Sequence, residues 1–164
     1  MATSLEHIVS YPFSVDRYWE IVSTEQYWRD LLEATNSSHG KLESFSLEGD
    51  TVTVEMLQGV PEDRLPSIVT KVRPGDLWIP RRTVFAREGA TVTGTMTASV
   101  SGAPADFDGH LSVSGEPATA TYTGSAKVSV PFVGGKIESA VIEQLVDLLD
   151  NEHEKTVTWE ADHR

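Results

Sequence analysis

Residues 118–130, ATATYTGSAKVSV, alternate without a slip: Ala118, Ala120, Tyr122, Gly124, Ala126, Val128 and Val130 on one parity, Thr and Ser with Lys127 on the other. A period of two describes an antiparallel strand with one face on a core and one in water. The same period runs through Phe45 and Leu47, through Val52, Val54 and Met56, through Val92, Gly94, Met96, Ala98 and Val100, and through Phe107, Gly109, Leu111 and Val113. The turn segments EGD, SGA and SGEP separate these runs. A chain built this way is a meander of strands, and it needs another layer to cover the apolar face.

The covering layer is also legible. In VPFVGGKIESAVIEQLVDLLDNEHEKTVTW, residues Ile137, Val141, Ile142, Leu145, Leu148 and Leu149 recur at three- and four-residue steps. The pattern predicts a helix of roughly 24 residues, about 36 Å long, enough to cross a sheet. The acidic residues of this quarter, Glu138, Glu143, Asp147, Asp150, Glu152, Glu154, Glu160 and Asp162, are read as its solvated side.

At the other end, residues 4–11 read as a strand closed by Pro12. Ser14 caps a short helix with Val15, Tyr18, Trp19 and Val22 on one side. Ser23 and Gln26 have the form of a capping box for a second helix carrying Tyr27, Trp28, Leu31 and Leu32, which NSSHG closes at Gly40. Between the strand runs, Leu65, Ile68, Val69 and Val72 suggest a short helix after Pro61, a candidate lid. After the turn RPGD, LWIPRRTVFAR resumes as a strand in which Pro80 predicts an edge or a bulge. The expected fold is α+β: a curved antiparallel sheet of about seven strands around a long C-terminal helix, with two short helices after strand 1, in one domain spanning 1–164.

Composition removes several functions. Thirteen basic against 25 acidic residues leave a net charge of −12, which opposes nucleic acid and anionic lipid, both gripped first through clustered Lys and Arg. No cysteine is present, so there is no disulfide, thiolate site or cysteine nucleophile. The start MATSLEHIVSYPF carries no secretion signal and no stretch is apolar enough to cross a bilayer. The expectation is a cytoplasmic protein, monomeric or weakly dimeric, without stable membrane insertion; the NSS sequon at Asn36 is then accidental.

Local chemistry is sparse. His7, His39, His110, His153 and His163 show no metal-ligand spacing, so neither metal nor cofactor is expected. FVGGKIE fails as a phosphate loop, with Val130 where Gly is needed and Ile137 where a hydroxyl is needed; Gly134 and Gly135 read instead as a turn that starts the helix close to the sheet. No G-x-S-x-G elbow occurs. Acid–base candidates for an enzyme would be His7, Glu55, Arg81, Arg82 and Tyr122, with Glu55 on the solvent parity.

The order of elements, together with YPFSVDRYWEIV and its buried Trp19, LPSIVTK, and VPFVGGKIE, resembles the START-like, birch-pollen-allergen-like superfamily, also known as SRPBCC. Within it the passages look like a family of uncharacterised bacterial, mostly actinobacterial, proteins. The resemblance implies an internal apolar cavity for a lipid, sterol, polyketide or similar hydrophobic ligand; some members are cyclases, dehydratases or hydrolases. It carries no catalytic signature, and fold alone does not settle function.

The inward parity of the last three strands sharpens the question of a cavity. Gly94, Ala98, Gly109, Ala118, Ala120, Gly124 and Ala126 are small for a packed core. They either let the sheet bend and the helix approach, or leave room for a ligand. Both are expected, with a cavity lined by His7, Trp19, Phe85, Met96, Phe107, Tyr122, Val141 and Leu145 and with Arg81 or Arg82 as a polar anchor. Carriage of a hydrophobic small molecule is the leading function. A polyketide cyclase or dehydratase using the same cavity, and an interaction module with a filled core and an exposed apolar patch, are the alternatives.

Overall fold

The computed structural model describes residues 2–36 and 40–164. Seven strands form one antiparallel sheet: β1 (Thr3–Ser10), β2 (Gly40–Glu48), β3 (Thr51–Val60), β4 (Leu77–Glu88), β5 (Thr91–Ser99), β6 (Ala105–Ser114) and β7 (Thr119–Val128). Their spatial order is β1-β7-β6-β5-β4-β3-β2. The six strands from β2 onward are a meander, and β1 joins it by pairing with the last of them, Leu5 opposite Gly124 and His7 opposite Tyr122. Between β1 and β2 lie α1 (Val15–Val22) and α2 (Glu25–Asn36); between β3 and β4 lie a short 3-10 turn and α3 (Ser67–Val72); α4 (Gly134–Asp162) closes the chain. This is the helix grip expected from the alternation, with α4 running 29 residues, about 44 Å.

Capping chemistry sets the ends of the short helices. The Ser14 hydroxyl accepts from the Arg17 amide at 3.1 Å, as its position predicts. The capping box does not form: Ser23 ends α1, its hydroxyl has no partner among the described residues, and α2 starts at Glu25. The stop assigned to NSSHG falls on Ser37, Ser38 and His39, outside the described residues, and Gly40 opens β2 instead. In α1 the buried face is Val15, Tyr18, Ile21 and Val22, which leaves Trp19 half-buried at its margin.

Pro80 forms neither a bulge nor an edge strand; β4 sits inside the sheet. The β3–β4 ladder is in register from Thr51–Ala86 through to Val60–Leu77. The β4–β5 ladder, however, begins at Arg81 opposite Ala98, so Pro80 lies just beyond its end, where a missing N–H costs no ladder bond on that side. Without a bulge the alternation is unbroken: Arg81, Thr83 and Phe85 face inward and Arg82 outward.

The core is dense at one end and thin at the other. Tyr18, Ile21, Tyr27, Trp28, Leu31 and Leu32 of the helix pair pack on Val52, Val54, Phe85, Val92 and Val113 of the sheet. Trp28 donates from Nε1 to the Val22 carbonyl at 3.0 Å and stacks obliquely on Phe85, 5.7 Å between centroids. Toward the start of α4, the buried cluster shrinks to Leu5, Met96, Phe107, Ala126 and Leu149, with Val141, Ile142, Leu145 and Val146 half-buried around it.

The acidic side of α4 departs from the sequence reading. Glu138 is 3% exposed: Oε2 accepts from the Val128 amide and Oε1 from the Thr3 hydroxyl, each at 2.9 Å. The backbone bond in particular holds its carboxyl below the ordinary glutamate range. Glu160 is buried beside Arg17 at 3.2 Å. The spacing carries the reason, since Glu138, Leu145 and Glu152 fall seven apart and share the inward stripe.

Candidate functional site

The thin end of the core holds a cavity of about 50 Å³ between the sheet and α4. Its wall is almost wholly apolar. Met96, Phe107 and Tyr122 line it from the sheet, Leu145 and Leu149 from α4, and Arg81 enters from β4. The volume admits a few waters and falls well short of the several hundred Å³ of a pocket for a drug-sized ligand.

Small residues do less to open this space than their number suggests. Gly109 and Gly124 sit opposite each other on β6 and β7, and the ring of Phe107 lies over both. A Cβ on Gly124 would stand 2.5 Å from the Asp108 carbonyl and 2.8 Å from Phe107 Cζ. Glycine here is a condition of close approach. Ala118 and Ala120 are fully buried in the dense cluster. Gly134 likewise lets α4 start against β7, for a Cβ there would come 2.6 Å from the Val128 carbonyl, whereas Gly135 faces open space.

One buried ion pair dominates the polar side of the cavity. The Arg81 and Glu152 side chains are 6% and 12% exposed. Arg81 Nη1 donates to Glu152 Oε2 at 2.7 Å and to Gln58 Oε1 at 3.3 Å, and Nη2 donates to Glu152 Oε1 at 3.3 Å. Burial by itself would lower the guanidinium pKa; the charge and hydrogen bonds of Glu152 outweigh it and carry the group above its ordinary value. Arg81 Nε and the Thr83 hydroxyl are buried with no partner among the described residues.

All four tyrosines of the chain gather around this pair. The Tyr27 hydroxyl lies 2.7 Å from Thr156 Oγ1. Burial first, then the neighbouring Glu152 charge, pushes the Tyr122 phenol up to about 12. Burial likewise raises Tyr11, Tyr18 and Tyr27.

The residues expected around a ligand thus divide. Met96, Phe107, Tyr122, Leu145 and Arg81 meet at the cavity. His7 does not: its Nε2 lies 2.7 Å from Asp150 Oδ1 on α4, at the margin where β1 passes the helix. Phe85 is buried against Trp28, Trp19 lies beside the dense cluster, and Val141 packs on the smaller one outside the cavity wall. Arg82 points to the outer face and pairs with Glu55 at 3.2 Å. It borders a hollow of about 610 Å³ that crosses the outer side of the sheet, open to solvent and lined by Glu43, Glu55, Asp106, Asp108 and Lys127. That hollow is the larger, but it is open and its lining is largely polar and charged, whereas the inner cavity is enclosed by apolar side chains.

Three polar residues of the site, Gln58, Thr83 and Glu152, were legible by position. Gln58 continues the parity of Val54 and Met56, and Thr83 lies between Arg81 and Phe85. Glu152 lies one heptad beyond Leu145. Polarity masked the pattern in each case.

The profile of a family described as "Protein of unknown function (DUF2505)" matches residues 6–159. An uncharacterized protein of Mycobacterium tuberculosis is 30% identical over 172 residues, covering 97% of each chain. Among solved structures, Ara h 8.0201 superposes with a TM-score of 0.58 at 10% identity, covering 99% of both chains. A norcoclaurine synthase point mutant from Thalictrum, solved in complex with a transition-state analogue, gives 0.56 at 14% identity, covering 99% of this chain and 96% of its own. The likeness to these solved structures establishes the helix-grip fold.

Proposed function

We propose, for a chain that belongs to the DUF2505 family of proteins of unknown function, that it binds or carries a hydrophobic small molecule in the cavity between sheet and α4. The observation that carries this reading is an apolar cavity with a single buried cation in its wall, the arrangement of a site that holds a nonpolar body and orients it by one polar contact. The size of the cavity makes widening part of binding. The half-buried stripe of Val141, Ile142, Leu145 and Val146 and the segment of α3, none of whose residues is buried, are the parts that yield. The whole chain, 1–164, acts as one binding unit.

Binding is favoured over acid–base chemistry by the groups that reach the cavity. Arg81 stays charged and Tyr122 stays protonated far above neutrality, so neither shuttles a proton near pH 7. His7, the better proton carrier, is engaged with Asp150. The interaction-module reading has weaker support. The exposed apolar residues are spread along the chain: Ile8 and Leu47 on opposite edge strands, Val72 in α3, Trp78 at the start of β4 and Phe132 ahead of α4.

Native mass spectrometry of the freshly purified protein tests the proposal, followed by denaturation and identification of what is released. A reproducible small-molecule adduct is the expected result. A protein that is empty and also fails to take up Nile red would overturn it.

A further inference from the structure

Arg81, in the wall of the cavity, is matched in charge by Glu152 behind it but not in hydrogen bonds. Arg81 and Glu152 cancel, and Gln58 adds a neutral acceptor on the same guanidinium edge. Two of the three guanidinium nitrogens are therefore engaged. The third, Nε, carries an N–H with no acceptor among the described residues, on a side chain more than nine-tenths buried that lines the cavity. Thr83, the next inward residue of β4 and 1% exposed, likewise has a hydroxyl without a partner among the described residues. Buried donors are almost always met, so an unmet one in a cavity wall marks a place for an acceptor.

The ion pair decides what sort of acceptor. A carboxylate brought to Nε would set two anions, itself and Glu152, against one cation out of reach of water, and the extra charge would go uncompensated. A neutral oxygen meets the N–H without disturbing the balance. The phenols nearby offer no relief: none of them partners Nε, and the Tyr27 hydroxyl is taken up by Thr156.

We infer that the ligand is an apolar molecule bearing one neutral acceptor oxygen, a carbonyl or an ether, which accepts from Arg81 Nε–H, and that Glu152 makes the site refuse carboxylates of the same shape. The inference rests on the binding reading above and narrows its ligand class to ketones, esters, ethers and the like. Free fatty acids and other carboxylates fall outside it. Glu152 is in this account a specificity-determining residue that acts through Arg81.

Three probes of nearly one shape test it on the unmodified full chain: acetophenone, benzoate and isopropylbenzene. Acetophenone is expected to bind at least about tenfold more tightly than benzoate at pH 7. In nitrogen-edited NMR, the arginine Nε–H resonance of Arg81, assigned by its loss in Arg81→Lys, should move downfield with acetophenone and stay with isopropylbenzene. In Glu152→Gln the guanidinium is no longer neutralised, and the benzoate-to-acetophenone ratio of dissociation constants should fall at least about tenfold. Equal or tighter binding of benzoate to the unmodified protein, an Nε–H signal unmoved by bound acetophenone, or an unchanged ratio in a folded Glu152→Gln variant would each overturn the inference while leaving hydrophobic binding intact. Should that variant not fold, the first two measurements decide. If none of the three probes binds, the inference fails, and the adduct and Nile red measurements above decide the binding reading.

Discussion

Tyr122 shows how one residue acquires its role from neighbours far away in the chain. Its parity on β7 places it inward, and its surroundings include Tyr11, Arg81 of β4 and Glu152 of α4. The phenols of Tyr11, Tyr18, Tyr27 and Tyr122 all have folded pKa values raised first of all by burial. A raised folded value means that the native state favours the neutral phenol. This stability is complete below the ordinary tyrosine value near 10 and is lost as pH rises through the folded values, about 12 for Tyr122. In an alkaline titration followed at 295 nm, no phenolate is expected while the far-ultraviolet circular dichroism is native, and all four should appear together as the fold is lost. A phenolate titrating near pH 10 in folded protein would contradict this burial. Arg81 follows the same logic. Its inward parity is readable from Thr83 and Phe85 once β4 is known to be regular, yet its partner is supplied by α4.

At the scale of elements, the pairing of β6 with β7 is governed by two glycines and one ring. Gly109 and Gly124 face each other, and Phe107 lies over them. Gly124→Ala is expected to destabilise the protein by about 1–3 kcal/mol, because the added methyl meets backbone on β6 that cannot move alone. Gly135→Ala is the control: it faces open space at the start of α4, and alanine there should be neutral or stabilising by up to about 1 kcal/mol. Urea unfolding of the two variants measures both, and equal effects would show that the β6–β7 contact is less close than described. The alternation of these strands was legible because the sheet is solvated on one face only. The meaning of their small inward residues was not, for a glycine reads the same whether it makes room for a ligand or for a neighbouring ring.

For the whole molecule, binding and folding compete for the same surface. The dense cluster beneath α1 and α2 anchors the far half of α4, while the first half meets the sheet across the cavity. Hydrogen exchange should find α3 and the first turns of α4 less protected than β5–β7, and a bound ligand such as acetophenone should raise their protection. Protection of α3 equal to the central strands, with or without ligand, would remove it as a lid. The order of elements, the helix grip and the inward parity of nearly every strand are determined by the sequence itself, because periods of 2 and 3.6 are local properties of the backbone. Tertiary structure alone supplied the partners that meet Glu138, Glu152 and Glu160 on a helix whose acidity reads as solvated, turned His7 to Asp150 and Arg82 to Glu55, and left Arg81 Nε without a partner among the described residues. Whether a charge is buried depends on the partner that meets it, and here that partner is 71 residues away for Arg81, beyond the reach of any local pattern.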